Sequence, residues 1–267
     1  MKLSKHPIIF IAIFSTILLS SCGVVVNNLP VFYTPPASSN HMSYLPKPMM
    51  EDSVKVKNYV SASFANNSLP YNVGDMAMGY INYNRSHVVK NFNFAYGGFG
   101  YFGGTSRGYE NTQRKIIEAY HDQGFYGFGL RTSIGIAEKS GNTEFRILNW
   151  ESAFVYEAGS YASFRKGVRS KNDPLSIASD KTALFTTGGS TEIIWSGRKN
   201  TDRQYGFRLF VGSTIDLRNN INYSEDKITG LATDLSFFIK IKNAYGILGS
   251  GTNLMNNSGK ITLGYSF

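Results

Sequence analysis

Four histidines are the most accessible general bases in the chain, and the setting of each limits what it can do. His6 lies in an apolar leader, and His41 lies in a proline-rich stretch that offers nothing to fix its geometry. His87 stands beside Ser86, and His121 beside Asp122. A serine next to a histidine offers a nucleophile beside a base, but neighbours on a strand point to opposite faces, so this pair does not share a site. Metal chemistry lacks its donors, because there is no His-x3-His, no cysteine pair and no dense acidic loop beyond Glu110, Glu118 and Asp122. Gly97-Gly98-Phe99-Gly100 and Gly103-Gly104 are not followed by a helical pattern, so they suit crowding in a narrow sheet better than a nucleotide. The expectation is a protein without catalytic residues, cofactor or metal.

What remains is charge placed at alternate positions of otherwise small or polar faces. Arg131, Arg208, Lys240, Lys242 and Lys260 carry it with Asp216 and Asp234. Such a set predicts an internal ion-pair network filling a barrel, or a lumen that admits small anions. The formal net charge of +9 also suits anionic head groups, but no Lys/Arg block marks a nucleic-acid surface.

The elements that carry these residues begin after a leader. Lys2 and Lys5 precede an uncharged run from Ile8 to Leu19, an export signal too short to span a bilayer as a helix. The run ends in Leu19-Ser20-Ser21-Cys22-Gly23, which resembles the lipobox of bacterial lipoproteins. That resemblance implies cleavage before Cys22 and acyl chains on it, so membrane lipid becomes the first partner. Cys22 is the single cysteine, which excludes a disulfide within the chain. Family experience with the following residue, here Gly23, favours the outer membrane. No acidic cluster follows the cysteine, which places the expected anchor in the inner leaflet, facing the periplasm. Residues 22–53 carry Pro30, Pro35, Pro36, Pro46 and Pro48 without periodicity and read as an irregular linker outside the folded body.

Residues 54–267 alternate instead. Tyr205, Phe207, Leu209 and Val211 share one face, with Arg208, Phe210 and Thr214 on the other. Similar alternation runs through 124–137, 229–242 and 258–267, the period of strands with unlike faces. The fold class read from this is all-β, an antiparallel up-and-down barrel of about eight to ten strands. The parse is 54–65, 73–84, 88–102, 124–137, 143–156, 160–168, 181–196, 203–217, 229–242 and 258–267, with a turn at Arg85-Ser86 and a long loop from Gly104 to Gln123 that holds a short helix. The stretch 169–180 is too long for the short turn that this parse requires there.

The chain ends Lys260-Ile261-Thr262-Leu263-Gly264-Tyr265-Ser266-Phe267, and this resembles the last strand of outer-membrane barrel proteins. The resemblance implies that Phe267, Tyr265, Leu263 and Ile261 form the signal read by the assembly machinery. The combined expectation is a lipid-anchored outer-membrane barrel of structural or accessory type, with an envelope partner of unknown identity. Alternatives are a periplasmic lipid-anchored binding module with a lipocalin-like interior, a small anion-selective pore, or a membrane-lipid acyl hydrolase.

Overall fold

The computed structural model describes residues 31–69, 74–107, 118–171, 176–197, 202–217, 230–253 and 256–267. Ten antiparallel strands close into a barrel: β2 (Val56–Ser68), β3 (Gly74–Val89), β4 (Phe92–Arg107), β5 (Gly124–Ser140), β6 (Thr143–Ala158), β8 (Ala183–Ser196), β9 (Arg203–Thr214), β10 (Leu231–Ile241), β11 (Ala244–Asn253) and β12 (Asn256–Ser266). Each pairs with its neighbours in sequence among these ten, and β12 returns to β2 with Ile261 opposite Phe64. The seam is completed by Phe267 and Asn58, which exchange backbone hydrogen bonds at 2.9 Å in both directions. Closure matters because an open edge would leave N–H and C=O groups unpaired in hydrocarbon.

The alternation resolves into an outside and an inside. Leu130, Leu209, Leu263 and Tyr265 are exposed, while their neighbours Arg131, Arg208, Thr262 and Ser266 are buried in the lumen. Outward aromatics form two bands: Phe92, Phe145, Trp195 and Tyr265 near one rim, and Phe102, Tyr126, Phe128, Tyr156 and Phe185 near the other. Between them lie aliphatic side chains such as Ile81, Leu130 and Leu248. An apolar belt flanked by aromatic girdles is what a bilayer selects. A lipocalin-like module requires the opposite, apolar residues within.

The two rims differ. At one stand the start of β2, the end of β12 and three two-residue turns, Lys90-Asn91, Gly141-Asn142 and Lys242-Asn243. The first residue of each turn has positive φ, 52°, 60° and 56° in turn, so only the glycine at 141 adopts it without steric cost. At the opposite rim lie the long connections 108–123, 159–182 and 215–230.

Four assignments from sequence change. Residues 160–168 are not a strand but belong to helix α1 (Ser160–Lys171), which buries Tyr161, Ala162, Arg165 and Val168, a helical spacing. Removing that strand puts 169–180 on the long-connection rim, where its length is ordinary. The tenth strand is β11 instead, whose Gly246, Gly249 and Gly251 weaken its strand signature. The turn expected at Arg85-Ser86 falls at Lys90-Asn91, as β3 runs on to Val89. Of the short helix expected in the long loop, the described part is a 3-10 turn at Glu118–Tyr120.

The largest departure concerns residues 31–53. Instead of a linker beside the barrel, they run through its lumen, and almost every residue from Val31 to Met49 is buried. Strand β1 (Val31–Tyr33) pairs in parallel with β7 (Ser176–Ala178) in the connection between β6 and β8. From that rim the chain descends to the short-turn rim and enters β2.

A protein of this form, folded in detergent, should migrate differently on a gel before and after boiling. Equal mobility, with the chain soluble in plain buffer, would contradict the membrane-facing belt.

Candidate functional site

The lumen segment meets the wall chiefly through backbone carbonyls. Residues 35–41 form a tight turn, with Asn40 N donating to Ala37 O at 3.0 Å and His41 N to the same oxygen at 2.9 Å. From there, five successive carbonyls each accept a side-chain donor of the wall. Asn253 Nδ2 donates to Ser38 O at 2.9 Å, Ser258 Oγ to Ser39 O at 3.0 Å, and Lys260 Nζ to Asn40 O at 2.7 Å. Arg131 Nε donates to His41 O at 2.5 Å and Arg208 Nη2 to Met42 O at 3.1 Å.

Proline carbonyls are served in the same way. Asn67 Nδ2 donates to Pro36 O at 2.6 Å, Ser86 Oγ to Pro46 O at 2.7 Å, and Arg146 Nη2 to Pro48 O at 2.8 Å. A proline has a carbonyl but no N–H, so a proline-rich segment asks its surroundings for donors. The arginines, lysines, asparagines and serines of the wall are such donors.

Apolar contacts close both ends of the segment. At the long-connection rim, Tyr33 packs edge-on against Phe164 of α1 at 5.2 Å between ring centroids, and Tyr161 Oη donates to Thr34 O at 3.0 Å. At the short-turn rim, Tyr44 and Met49 join Tyr59, Ile194, Phe238 and Tyr245 in one cluster. There the segment is fastened by charge: Lys139 Nζ lies 2.5 Å from Glu51 Oε2, and Ser196 Oγ donates to Glu51 Oε1 at 2.8 Å. The hydrogen bond from Lys139 holds the Glu51 carboxyl below its ordinary range. This fastening is therefore complete above that range and is lost only as pH falls through the lowered value. Beside it a cavity of roughly 540 Å³ opens at the rim, lined by Asp52, Lys57, Asp202, Lys240 and Lys242 among others.

Two arginines of the wall pair with its carboxylates within the segment's reach. Arg208 bridges Glu151 and Asp234, and Arg146 lies 2.8 Å from Glu144 and 3.0 Å from Glu192. Lys47 of the segment is 3.9 Å from the same Glu192 and donates to Ser133 Oγ at 3.0 Å. Beside Arg131 a cavity of about 20 Å³, bounded by Ser61, Ser63, Asn82, Lys260 and Thr262, has room for about one water.

Of the charges singled out in the sequence, Arg131, Arg208, Asp234, Lys240 and Lys260 are buried inside the barrel. The structure brings Arg208 and Asp234 together, whereas Arg131 and Lys260 hold segment carbonyls rather than carboxylates. Lys242 is not a lumen residue: it starts the turn after β10 and is exposed. Cys22 and the Asp216 side chain lie outside the described residues. Ile261, Leu263, Tyr265 and Phe267 line the outer face of the closing seam.

His41, expected to have no fixed geometry, is fully buried, with Nδ1 2.7 Å from Ala37 O and Nε2 bonded to Thr186 Oγ1. Ser86 points inward to Pro46, while His87 stacks on Tyr96 at 6.0 Å, so the two do face apart. Sequence reasoning missed Glu144, Arg146, Glu151 and Glu192. A bulge after Arg146 turns both Ile147 and Leu148 outward, so that Glu151, which strict alternation would set on the face opposite Glu144 and Arg146, joins them inside.

No family model matches the chain, and no curated protein does. Among solved structures, the translocator domain of autotransporter NalP from Neisseria meningitidis is similar at 10% identity, covering 82% of this chain and 90% of that one, with a TM-score of 0.38. The transport unit of autotransporter AIDA-I from Escherichia coli shows 7% identity over 86% and 95%, TM-score 0.35. The KdgM porin in complex with disordered oligogalacturonate shows 11% over 80% and 99%, TM-score 0.30. The likeness concerns the fold alone. Closed strands, an apolar belt between aromatic bands and one rim of short turns give the chain the fold of an outer-membrane β-barrel, with part of its own chain in the lumen.

Two substitutions separate wall from segment. Arg208→Met leaves Glu151 and Asp234 buried without their cation, and should cost about 3–5 kcal/mol, read as an earlier urea midpoint of the heat-modifiable band. At Gly251 an added Cβ would lie 2.1 Å from Ser39 O. Gly251→Val should therefore displace the segment and raise its cleavage in limited proteolysis, whereas an unchanged digest would show that the segment does not pass there.

Proposed function

We propose that the protein is a lipid-anchored, self-plugged outer-membrane barrel with a structural or accessory role and no catalytic turnover. The observation that carries this reading is the occupied lumen: residues 31–50 fill it and take up the donors of its wall. A barrel so filled works through its faces rather than through transport. The long-connection rim, where α1, β1 and β7 pack together, is the natural place for an envelope partner. Assembly machinery would read the strand that ends at Phe267, whose outward Ile261, Leu263 and Tyr265 it would meet before closure. Acyl chains on Cys22 would supply a second attachment beside the barrel.

Against a hydrolase stands the placement of the histidines just described, with His41 enclosed and His87 turned from Ser86. An anion pore finds little support in the mouth, where Lys57, Lys240 and Lys242 are matched by Glu51, Asp52 and Asp202.

In planar bilayers the intact protein should be electrically silent, and the variant lacking residues 31–53 should conduct if it folds. Steady conductance from the intact protein would overturn the plugged reading. Cys22→Ala should lose metabolic palmitate label yet stay with membranes through a carbonate wash. Release by that wash would mean that the lipid, and not the barrel, holds the protein. Turnover of phospholipid above that of protein-free vesicles would refute the non-catalytic role.

A further inference from the structure

We propose that the cavity at the short-turn rim is a binding site for a small, water-soluble phosphate monoester, held between Lys57 and Lys240. The inference goes beyond the structural role proposed above and needs neither the lipid anchor nor an envelope partner.

The site is assembled from both sides of the barrel mouth. The period of β10 turns Asp234, Ser236, Phe238 and Lys240 inward, and all four are buried. Gln204 of β9 is the cross-strand partner of Lys240, and both line the cavity of roughly 540 Å³. Lys57 and Asp52 reach the same space from the other direction, where the lumen segment passes into β2. In outer-membrane barrels the short turns face the periplasm, so the cavity opens to that compartment.

The mouth is balanced in the number of its charges but not in their pairing. Glu51 is taken by Lys139 and Ser196. Asp52 accepts from Lys57 at 3.4 Å, from Gln204 Nε2 at 3.0 Å and from Met49 N at 3.2 Å. Asp202 accepts Lys242 N at its backbone carbonyl at 2.8 Å. Lys240 forms no ion pair among the described residues, and the charge that acts on it most strongly is the like charge of Lys57, ahead of Asp52 and Asp202. Gln204 spends its amide N–H on Asp52, which leaves its Oε1 buried without a donor among the described residues. One wall of the cavity thus carries a surplus ammonium beside an unmet acceptor. Neighbouring cations withdrawn from water repel, and an anion set between them turns that repulsion into attraction.

The chemistry of the lining selects the ligand. A phosphate monoester carries a charge of about −1.5 to −2 at neutral pH and offers acceptor oxygens to both ammonium groups, whereas a carboxylate offsets only one of them. Lysine meets phosphate as a point charge, and no arginine, whose fork suits carboxylates, lines the cavity among the described residues. A hydroxyl on the esterified alcohol would supply the donor that Gln204 Oε1 lacks. No apolar side chain lines the cavity among the described residues, so an acyl chain finds no place there and the ligand is a soluble one. Once bound, it would tie the exit of the lumen segment at Lys57 to the wall at Lys240.

The test is calorimetric titration of the full chain, extracted from membranes in an uncharged detergent, with inorganic phosphate, glycerol 3-phosphate and acetate. Both phosphates should saturate one site, and Lys57→Met and Lys240→Met should each weaken them by about tenfold or more, the loss of one charge-assisted hydrogen bond. Lys240→Arg should retain binding, and Lys166→Met, on α1 at the opposite rim, should leave it unchanged. The gel shift on boiling certifies that each variant is folded. Wild-type protein gives a reading free of any variant: glycerol 3-phosphate should protect Lys57 and Lys240, but not Lys166, from acetylation by an N-hydroxysuccinimide ester, read by mass spectrometry. Absence of saturable phosphate binding, undiminished binding by Lys240→Met, or equal protection of all three lysines overturns the site. Acetate binding as tightly as phosphate overturns the ligand class. Phosphatidic acid in mixed micelles, bound where glycerol 3-phosphate is not, would assign the phosphate to a lipid and overturn the soluble ligand. None of these outcomes bears on the silence of the intact barrel in planar bilayers, so the two proposals fail separately.

Discussion

A buried carbonyl without a donor is the constraint on which this barrel depends. A segment without regular secondary structure beyond Tyr33 crosses the lumen, and each of its peptide groups must find a partner there or carry the cost of desolvation. Most of the proline carbonyls and the run from Ser38 to Met42 are satisfied by wall side chains, not by backbone. The basic excess of the sequence thereby acquires a local meaning. Arg131 and Lys260 are cations whose main bonds go to neutral oxygens, while Arg146 and Arg208 do both tasks at once, pairing with carboxylates and donating to the segment.

The same strands answer to two solvents. Outward positions are aliphatic or aromatic because lipid offers no hydrogen bonds, and inward positions are polar because the segment demands them. Glycine adjusts the inner face where the segment comes nearest, most plainly at Gly251 beside Ser39. Phe99 shows the mixed character of the interior: its ring lies under the Arg131 guanidinium at 3.8 Å, so the cation is flanked by an aromatic face and by a peptide oxygen. One wall residue thus links the apolar cluster near the long-connection rim to the polar middle of the lumen.

How much of this the sequence discloses follows from what a period can and cannot encode. Strong alternation in β5, β9, β10 and β12 places their faces correctly and yields the fold class. Where the period is interrupted the reading fails, at the bulge in β6, at glycine-rich β11, and at α1, whose short apolar spacing passes for a strand. The lumen segment was illegible for another reason. Prolines and the absence of periodicity describe an irregular chain equally well inside and outside a barrel, and only long-range partners such as Asn253 and Lys260 decide between the two. A better signal was available in the excess of donors on the inner faces, which exceeds what the inner carboxylates alone would need.

Loss of the segment and loss of a wall charge are different physical events. When Arg208 alone is removed, Glu151 and Asp234 stay enclosed, and their desolvation is no longer offset. When the whole segment leaves, water can enter the lumen and solvate the same side chains, so each broken bond is exchanged for a hydration bond at a net difference of only about 0.5–1.5 kcal/mol. The wall is therefore intolerant of single uncompensated changes while its contents are held by many modest terms. Such terms hold firmly only when they act together, and the two rim clusters bring this about. Tyr33 packed on α1 at one end and Met49 among Tyr59, Phe238 and Tyr245 at the other bury apolar surface that water would not reward for leaving. The polar middle sets where the segment lies, and the apolar ends keep it there.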